Sequence, residues 1–186
     1  MGDVDDLERV IERDGDRLYR LALRITGRHD DAEAAIQSAL RAVAGAPHTL
    51  DADSPLSARI YRAVARAAHR TRRERSPHAQ DIAVERVIPR LDRDGHFEPM
   101  GDWSSRIGER AIDDRLSDVV MDAIDALPVD DRTALILHDL EAASAADVAS
   151  ILGADVSTIK TRVHRGRLVV RKRLAEYFES AGVAEG

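Results

Sequence analysis

The residues best suited to chemistry lie close to the carboxyl end of the chain. Between Ser157 and Arg173 the sequence has seven lysines and arginines and no acid. Such side chains bind phosphates, and hydroxyls and cations in the first turns of a helix contact base edges in DNA. Seven positive charges that no acid in the segment opposes repel one another, so an anionic partner is expected. The pattern favours nucleic-acid binding over a merely solvated basic face.

A second basic segment precedes a long acidic one. Between Arg59 and Arg75 there are seven arginines and a single acid, Glu74. Arginine favours phosphate because its planar guanidinium forms two parallel hydrogen bonds to it. Between Asp81 and Asp125, by contrast, the chain has twelve acids and six arginines. The formal net charge of −6 therefore conceals two basic surfaces, and the separation of charge is more informative than its sum.

Composition excludes several classes of site. The chain has no cysteine, which excludes disulfides, thiolate metal sites and cysteine nucleophiles. Its seven histidines show no metal-ligand spacing, and it has neither a phosphate-binding glycine loop nor a nucleophile-elbow serine. We therefore expect no enzymatic activity, no metal and no cofactor. The amino terminus has no apolar leader and no apolar run is long enough to span a membrane, so a cytoplasmic protein is expected.

The elements that must position the basic residues are predicted to be helices. Alanine, leucine, arginine and aspartate are abundant and only six residues are aromatic, which favours an all-α fold over a β-sandwich. Apolar residues at three- and four-residue steps predict helices bounded by glycine, proline and capping residues. The helices are expected over 4–26, 30–45, 55–75, 112–127, 132–140, 144–153 and from 155 to at least 174.

Two small helical domains joined by a flexible linker are predicted. The first domain covers 1–75, the linker 76–108, the second domain 109–178 and a short tail 179–186. The linker is rich in proline and glycine, which break any periodicity. We hypothesise that it folds back on a basic unit and screens it until DNA competes. The linker residues that motivate this are Asp92, Asp94, Phe97, Glu98, Asp102 and Trp103.

The most specific feature is a pair of short-spaced helices near the carboxyl end. Ser144 and Asp147 form a capping-box pattern at the start of the first helix. A turn of Gly153, Ala154 and Asp155 leads into the second, whose apolar residues keep only an inward spacing. This arrangement is typical of a helix-turn-helix, in which the second helix enters the major groove.

These two helices and the segment before them resemble region 4 of bacterial sigma factors of the extracytoplasmic-function group. The resemblance covers roughly residues 110–178. It rests on Leu127, Pro128, Arg132, Leu135, Leu137, Ser144, Val148, Ala149, Leu152, Gly153, Thr158, Ile159, Lys160, Thr161, Arg162, His164, Arg165 and Arg167. It implies contact with the −35 promoter element, and the DNA-facing candidates are Ser157, Thr158, Lys160, Thr161, Arg162, His164, Arg165 and Arg167.

The amino-terminal helices resemble region 2 of the same family. The resemblance rests on 22–27, 31–33, Gln37, 60–62 and the arginines of 70–75. It implies docking on core RNA polymerase and capture of an unpaired base of the −10 element, with 45–54 as the base-capture loop, containing His48 and Thr49. Candidates for the −10 region are Arg59, Arg62, Arg66, Arg70, Arg72 and Arg73. Candidates for polymerase binding are Asp31, Glu33, Gln37 and Leu40.

The resemblance implies a sigma factor that gives core RNA polymerase its promoter preference and helps strand separation to begin. It also implies an anti-sigma partner, binding to duplex and locally melted promoter DNA, and a monomer when free. Where the family has an acid, an aromatic, a tryptophan and an asparagine, this chain has Ser38, Leu40, Arg59 and Arg66. These departures leave two alternatives open. One is a sigma-like protein that titrates an anti-sigma factor, and the other is a stand-alone helix-turn-helix regulator, dimeric on a palindromic site.

Overall fold

A computed structural model of the chain describes residues 2–45, 55–75 and 114–180. The described residues are helical apart from short turns, with no strand among them, in agreement with the predicted all-α class. In chain order the helices are α1 (Gly2–Thr26), α2 (His29–Gly45), α3 (Leu56–Arg75), α4 (Asp114–Asp125), α5 (Val129–Leu135), a π-helical turn (Ile136–Leu140), α6 (Ala145–Leu152) and α7 (Val156–Ser180).

The first three helices form an N-terminal unit. The apolar stripe predicted for α1 is buried at its carboxyl half, where Leu21 and Ile25 have no exposed surface. It packs against the alanine-rich face of α2 and against Ile60 and Val64 of α3. Small alanines allow the helix backbones to approach closely, and burying the larger side chains stabilises the unit through the hydrophobic effect.

Helices α4 to α7 form a C-terminal unit. The long helix α7 packs along α4, α5 and α6 through Ile159, Val163 and Leu174. Gly166 permits the close approach of α7 to α5, because a Cβ at this position would lie 3.1 Å from Leu135 Cδ2. Helix α7 continues through Ser180, two residues into the segment predicted to be a tail.

The prediction of a helix over 132–140 was wrong in its bounds and type. Helix α5 begins at Val129, directly after Pro128, whose extended backbone (φ −51°, ψ 145°) ends the preceding turn. Two acids in the first turn favour this start, because they lie near the positive end of the helix dipole. The chain then changes to the π-helical turn, which accommodates an extra residue that apolar spacing does not reveal.

The two units pack against each other. Buried side chains of both belong to one continuous apolar cluster, and α3 lies against α5 and α6. Arg132 of α5 is 1% exposed, and its guanidinium donates hydrogen bonds at 2.6 and 3.1 Å to the carbonyl of Arg24 in α1. Gly27, at the end of α1 with φ +75°, leaves space for this guanidinium. The pairing of the units determines which basic surfaces remain open.

Candidate nucleic-acid interface

The turn between α6 and α7 is constructed as the sequence predicts. The Ser144 hydroxyl caps α6, because it accepts a hydrogen bond from the Asp147 amide at 3.1 Å. The same hydroxyl donates a hydrogen bond to the Asp147 carboxylate at 2.6 Å. Gly153 ends the helix in the left-handed conformation, with φ +63°. The turn brings the first residues of α7 to the surface, where a helix-turn-helix contacts DNA.

Asp155 caps α7 and fixes the hydroxyls that follow it. Its carboxylate accepts hydrogen bonds from the Thr158 amide at 2.7 Å, from the Thr158 hydroxyl at 2.9 Å and from the Ser157 hydroxyl. These hydrogen bonds hold the pKa of Asp155 well below its usual value, and the one from the Ser157 hydroxyl has the largest effect. Because both hydroxyls donate to Asp155, Ser157 and Thr158 present acceptor lone pairs rather than free donors.

The outward face of α7 carries three further candidates on the protein surface. Lys160, Thr161 and His164 are exposed, whereas Ile159 and Val163 on the opposite face are buried. Lys160 makes no ion pair with any residue in the described ranges, and the Thr161 hydroxyl donates to the Ser157 carbonyl at 3.1 Å. This face is therefore solvated and polar, with a lysine whose charge is available to an anion.

The expectation that the basic charges of α7 are unopposed was wrong for four of its arginines. Arg173 pairs with Glu176 on the same helix at 3.2 Å. The other three lie against acids of α5 or of the π-helical turn, which are distant in the sequence. The nitrogen–oxygen distances are 2.6 Å for Arg162–Asp130, 2.7 Å for Arg165–Asp131 and 2.7 Å for Arg167–Asp139. Arg167 binds its partner through Nε as well, at 2.8 Å. These pairs leave less positive charge for DNA than the sequence count indicates.

The acids that oppose these arginines differ in their surroundings. The Arg167 guanidinium lowers the pKa of Asp139, because hydrogen bonds to a carboxylate favour its charged form. Burial raises the pKa of Asp131 despite the hydrogen bond from Arg165. The pKa of Asp130 is lowered, first by His69 of α3 and then by Arg162. Asp130 is thus shared between the two units.

The arginines of α3 are also engaged within the chain. Arg62 and Arg66 contact α6 of the other unit, through the Asp147 carboxylate and the carbonyls of Ser150 and Ile151. Three others bind the N-terminal unit itself. They are Arg70 to the Ser38 hydroxyl, Arg72 to the Thr26 carbonyl and Arg75 to the Asp31 carboxylate. Of the remaining two candidates, Arg73 is exposed and Arg59 is half-buried.

The polymerase-binding candidates do not form one exposed set. The Asp31 side chain is 11% exposed and accepts from Arg75, so it holds α3 against α2. Glu33 and Gln37 are exposed on α2, and Leu40 is half-buried against the core. Glu33, Gln37 and Leu40 follow one another at four- and three-residue steps, so they lie on one face of the helix.

Comparison with known proteins relates this architecture to bacterial sigma factors. Residues 117–169 match the family model described as Sigma-70, region 4. The chain is 25% identical to the ECF RNA polymerase sigma factor SigW of Bacillus subtilis, over 94% of this chain and 92% of that protein. The chain is thus similar to extracytoplasmic-function sigma factors, and its C-terminal unit matches region 4 of the sigma-70 family. It is also 26% identical to the ECF RNA polymerase sigma factor SigE of Mycolicibacterium smegmatis over 91% of this chain, and it spans 62% of that relative's length.

A solved structure of a sigma factor has the same fold. It is the sigma factor RpoE in complex with the anti-sigma factor NepR from Bartonella quintana. The superposition has a TM-score of 0.59 and covers 91% of this chain and 96% of that one, at 23% sequence identity. The likeness in fold extends over most of this chain.

Three residues that matter for the candidate interface were not predicted from the sequence. They are His69, Asp130 and Asp131, which bind across helices. A signal for the two acids was present, since they follow Pro128 where a helix begins. No signal identified His69, because a histidine among arginines gives no indication of a partner in another unit.

Some predictions fall outside the part of the chain that the structure describes. They concern the loop 46–54, the linker 76–108, and the hypothesis that acids of the linker screen a basic unit.

Within 2–45, 55–75 and 114–180, the structure has no cluster of histidine and carboxylate side chains arranged to hold a metal. In the same ranges, none of the helices is both long and apolar enough to cross a bilayer.

Proposed function

We propose that this chain acts as a sigma factor, which binds core RNA polymerase, directs it to promoters and helps the DNA strands to separate. The observation that carries the proposal is the capped helix-turn-helix whose second helix exposes Lys160, Thr161 and His164. The similarity to sigma factors indicates the partner that this surface is proposed to bind. The chain itself performs no chemistry in this function, because the polymerase forms the RNA.

Helix α7 is proposed to contact the −35 element in the major groove. Lys160 supplies the available charge, while Arg162 and Arg165 each hold an acid through one terminal nitrogen and keep other donors for DNA. Arg167 donates hydrogen bonds from both Nε and Nη2 to the Asp139 carboxylate. We therefore propose that Arg167 supports the DNA-binding helix and does not itself lie in the set that approaches DNA. The set proposed to approach DNA is Ser157, Thr158, Lys160, Thr161, Arg162, His164 and Arg165.

The N-terminal unit is proposed to bind core polymerase and the −10 element. The exposed face of α2 with Glu33 and Gln37 fits a docking surface. The arginines of α3 fit the phosphate backbone of a displaced DNA strand, because such strands are held in positively charged grooves.

We propose domain bounds of 1–75 and 109–178 with the linker between them. An anti-sigma partner is proposed because the RpoE relative is in complex with one.

Run-off transcription tests this function. The purified chain is combined with sigma-free core polymerase and fragmented DNA from its own host. Discrete transcripts are expected only when the chain is present. The double substitution Lys160→Ala with Thr161→Ala should abolish them, because it removes the available charge and a groove-facing hydroxyl. Arg171→Ala, exposed on the same helix beyond the proposed contact, is the matched control and should retain them.

The other outcomes distinguish the two alternatives. A chain that binds neither polymerase nor DNA, beside an active control sigma factor, but captures an anti-sigma factor would be a decoy. A dimer that protects a palindromic site without polymerase would be a stand-alone regulator, because two-fold symmetry of the protein matches two-fold symmetry of the site. A monomer on an asymmetric site supports the sigma-factor proposal.

A further inference from the structure

All three hydroxyls among the residues proposed to approach DNA donate their proton within the chain. The Ser157 hydroxyl donates to Asp155 Oδ1, and the Thr158 hydroxyl donates to Asp155 Oδ2 at 2.9 Å. One turn further along α7, the Thr161 hydroxyl donates to the Ser157 carbonyl at 3.1 Å. Ser157 and Thr161 are exposed and Thr158 is half-buried, so all three hydroxyls lie at or near the surface proposed to face the major groove.

The chemistry of the partners fixes the direction of these hydrogen bonds. A charged carboxylate and a peptide carbonyl only accept, so each hydroxyl must be the donor. A hydroxyl has one proton and two lone pairs, and once the proton is donated only lone pairs remain for a ligand. The two bonds to Asp155 are charge-assisted and therefore about twice as strong as neutral ones. Turning either proton towards DNA would break such a bond, so Ser157 and Thr158 meet DNA as acceptors.

An acceptor distinguishes the four bases by the amino groups at their major-groove edges. Adenine presents its N6 amino group and cytosine its N4 amino group, and both groups donate hydrogen bonds. Guanine presents N7 and O6 and thymine presents O4, and all three atoms accept. An acceptor hydroxyl therefore pairs with adenine or cytosine and opposes the lone pairs of guanine or thymine. A serine or threonine whose proton is free makes no such distinction, because it can donate or accept.

We propose that Asp155 determines base specificity. By holding the protons of Ser157 and Thr158, it makes α7 select adenine or cytosine, and reject guanine or thymine, at the positions that these hydroxyls contact. The inference rests on the proposed function and adds the chemical class of base that each hydroxyl recognises. Asp155 acts through the hydroxyls rather than by touching DNA. Thr161 follows the same rule less strictly, because its hydrogen bond to a neutral carbonyl is weaker.

Asp155→Asn separates this role from that of a helix cap. The Thr158 amide donates to Asp155 Oδ1 at 2.7 Å, so the asparagine must keep its oxygen there and place its nitrogen where Oδ2 lies. Asparagine caps helices about as well as aspartate, so the start of α7 is retained. The nitrogen then donates to the Thr158 hydroxyl, which frees the proton of that hydroxyl. The variant changes the polarity of Thr158 and leaves that of Ser157 unchanged.

The test selects binding sites from a pool of fully randomised DNA duplexes. The selecting protein is the purified chain in complex with sigma-free core polymerase from its own host. The position that each hydroxyl contacts is identified by Ser157→Ala, Thr158→Val and Thr161→Val, each of which should relax the base preference at one position. In the native chain, adenine and cytosine should be enriched about tenfold over guanine and thymine at the Ser157 and Thr158 positions, on the strand that the hydroxyls contact.

The decisive variant is Asp155→Asn. It should bring the four bases to within about twofold of one another at the Thr158 position, and leave the preference at the Ser157 position unchanged. Asp118→Asn, which removes an exposed carboxylate of α4, is the matched control and should select the native site. A role of Asp155 in capping alone would leave the base preference unchanged in both variants.

Base analogues test the amino group directly. The adenine or cytosine at the Thr158 position of the selected duplex is replaced by an analogue that lacks only the exocyclic amino group. Binding of the complex of chain and polymerase should weaken about fivefold, because the hydrogen bond to the Thr158 hydroxyl is lost. In Thr158→Val the same analogue should cause no loss, because the acceptor is already absent. An equal loss in the native chain and in Thr158→Val would contradict the inference.

The remaining outcomes separate this inference from the proposed function. Guanine or thymine at the Ser157 or Thr158 position of the native site would overturn it, as would an unchanged preference in Asp155→Asn. So would a site at which none of the hydroxyl variants alters any base preference. Each of these results contradicts the role of Asp155 alone, because a site was selected. If no site is selected while a control sigma factor with the same polymerase selects its own, the sigma-factor proposal fails and this inference fails with it.

Discussion

The basic faces of α3 and α7 carry similar charge but are neutralised in different ways. On α7, three arginines pair with acids of α5 and the π-helical turn in the same unit, namely Asp130, Asp131 and Asp139. On α3, Arg62 and Arg66 bind the other unit instead. The partners of these α7 arginines lie within the C-terminal unit, whereas those of Arg62 and Arg66 depend on the packing of one unit against the other.

The difference shows that a count of charges in a segment does not describe the surface that a partner meets. An ion pair with an acid of the same unit orients an arginine and reduces its net charge in every state of the molecule. An ion pair across the junction of two units forms only where the two units pack against each other.

The largest effect is expected at Arg132, which joins the units. Arg132→Met removes two hydrogen bonds to the Arg24 carbonyl and the pair with Asp125 at 2.6 Å. Burial already lowers the pKa of Arg132 to about 10, so its charge is held at a cost that these partners offset. We expect the free energy of unfolding in urea to fall by about 3 kcal/mol, since a buried polar network loses a member.

Arg115→Ala, on the exposed face of α4, controls for the loss of one positive charge and should change the free energy of unfolding by less than about 0.5 kcal/mol. If Arg132→Met divides one unfolding transition into two, the units are stabilised by each other. A loss no greater than that of the control would show that Arg132 does not join them.

A smaller effect is expected on DNA binding when the unpaired Lys160 or the paired Arg167 of α7 is replaced. Lys160→Ala should weaken binding to promoter DNA about tenfold and reduce the salt dependence by about one counterion, because an unopposed lysine neutralises a phosphate. Arg167→Ala should weaken it less, because Asp139 already holds that guanidinium on both sides. Titrations at several salt concentrations measure both. Equal losses would mean that the Asp139 pair opens when DNA binds.

The helices and the turn before α7 could be predicted because their signals are local. Ser144, Gly153 and Asp155 determine caps and a turn within a few residues of themselves. The partners of the arginines could not be predicted, because Asp130 and Asp139 lie about thirty residues away and meet α7 only after the helices pack. Likewise, the charge pattern of α3 indicated phosphate binding but contained nothing about the carbonyls of α6.

The close packing between α7 and α5 can be tested by replacing two glycines and measuring the free energy of unfolding. Gly166→Ala should lower the free energy of unfolding by about 1 kcal/mol, because its Cβ would lie 3.1 Å and 3.3 Å from Leu135 atoms and crowding exceeds the gain in helix propensity. Gly15→Ala in α1, where no atom lies within 4 Å, should raise it by about 0.5–1 kcal/mol. Equal gains would indicate that α7 does not depend on this close approach.

The last expected effect is absent at neutral pH, and it is a dependence of stability on high pH that originates at the junction. The Tyr61 hydroxyl on α3 is buried without a hydrogen-bond partner, and burial, with Glu141 adding to it, raises the pKa of Tyr61 to about 12 from 10.0. Between these values the unfolded chain releases the proton and the folded chain keeps it, so stability falls as the pH rises above 10 and is unaffected below it. Tyr61→Phe should remove this part of the slope in denaturant titrations, whereas Tyr177→Phe, on α7 away from the junction, should not. An unchanged slope in Tyr61→Phe would show that the Tyr61 hydroxyl is not the group that titrates.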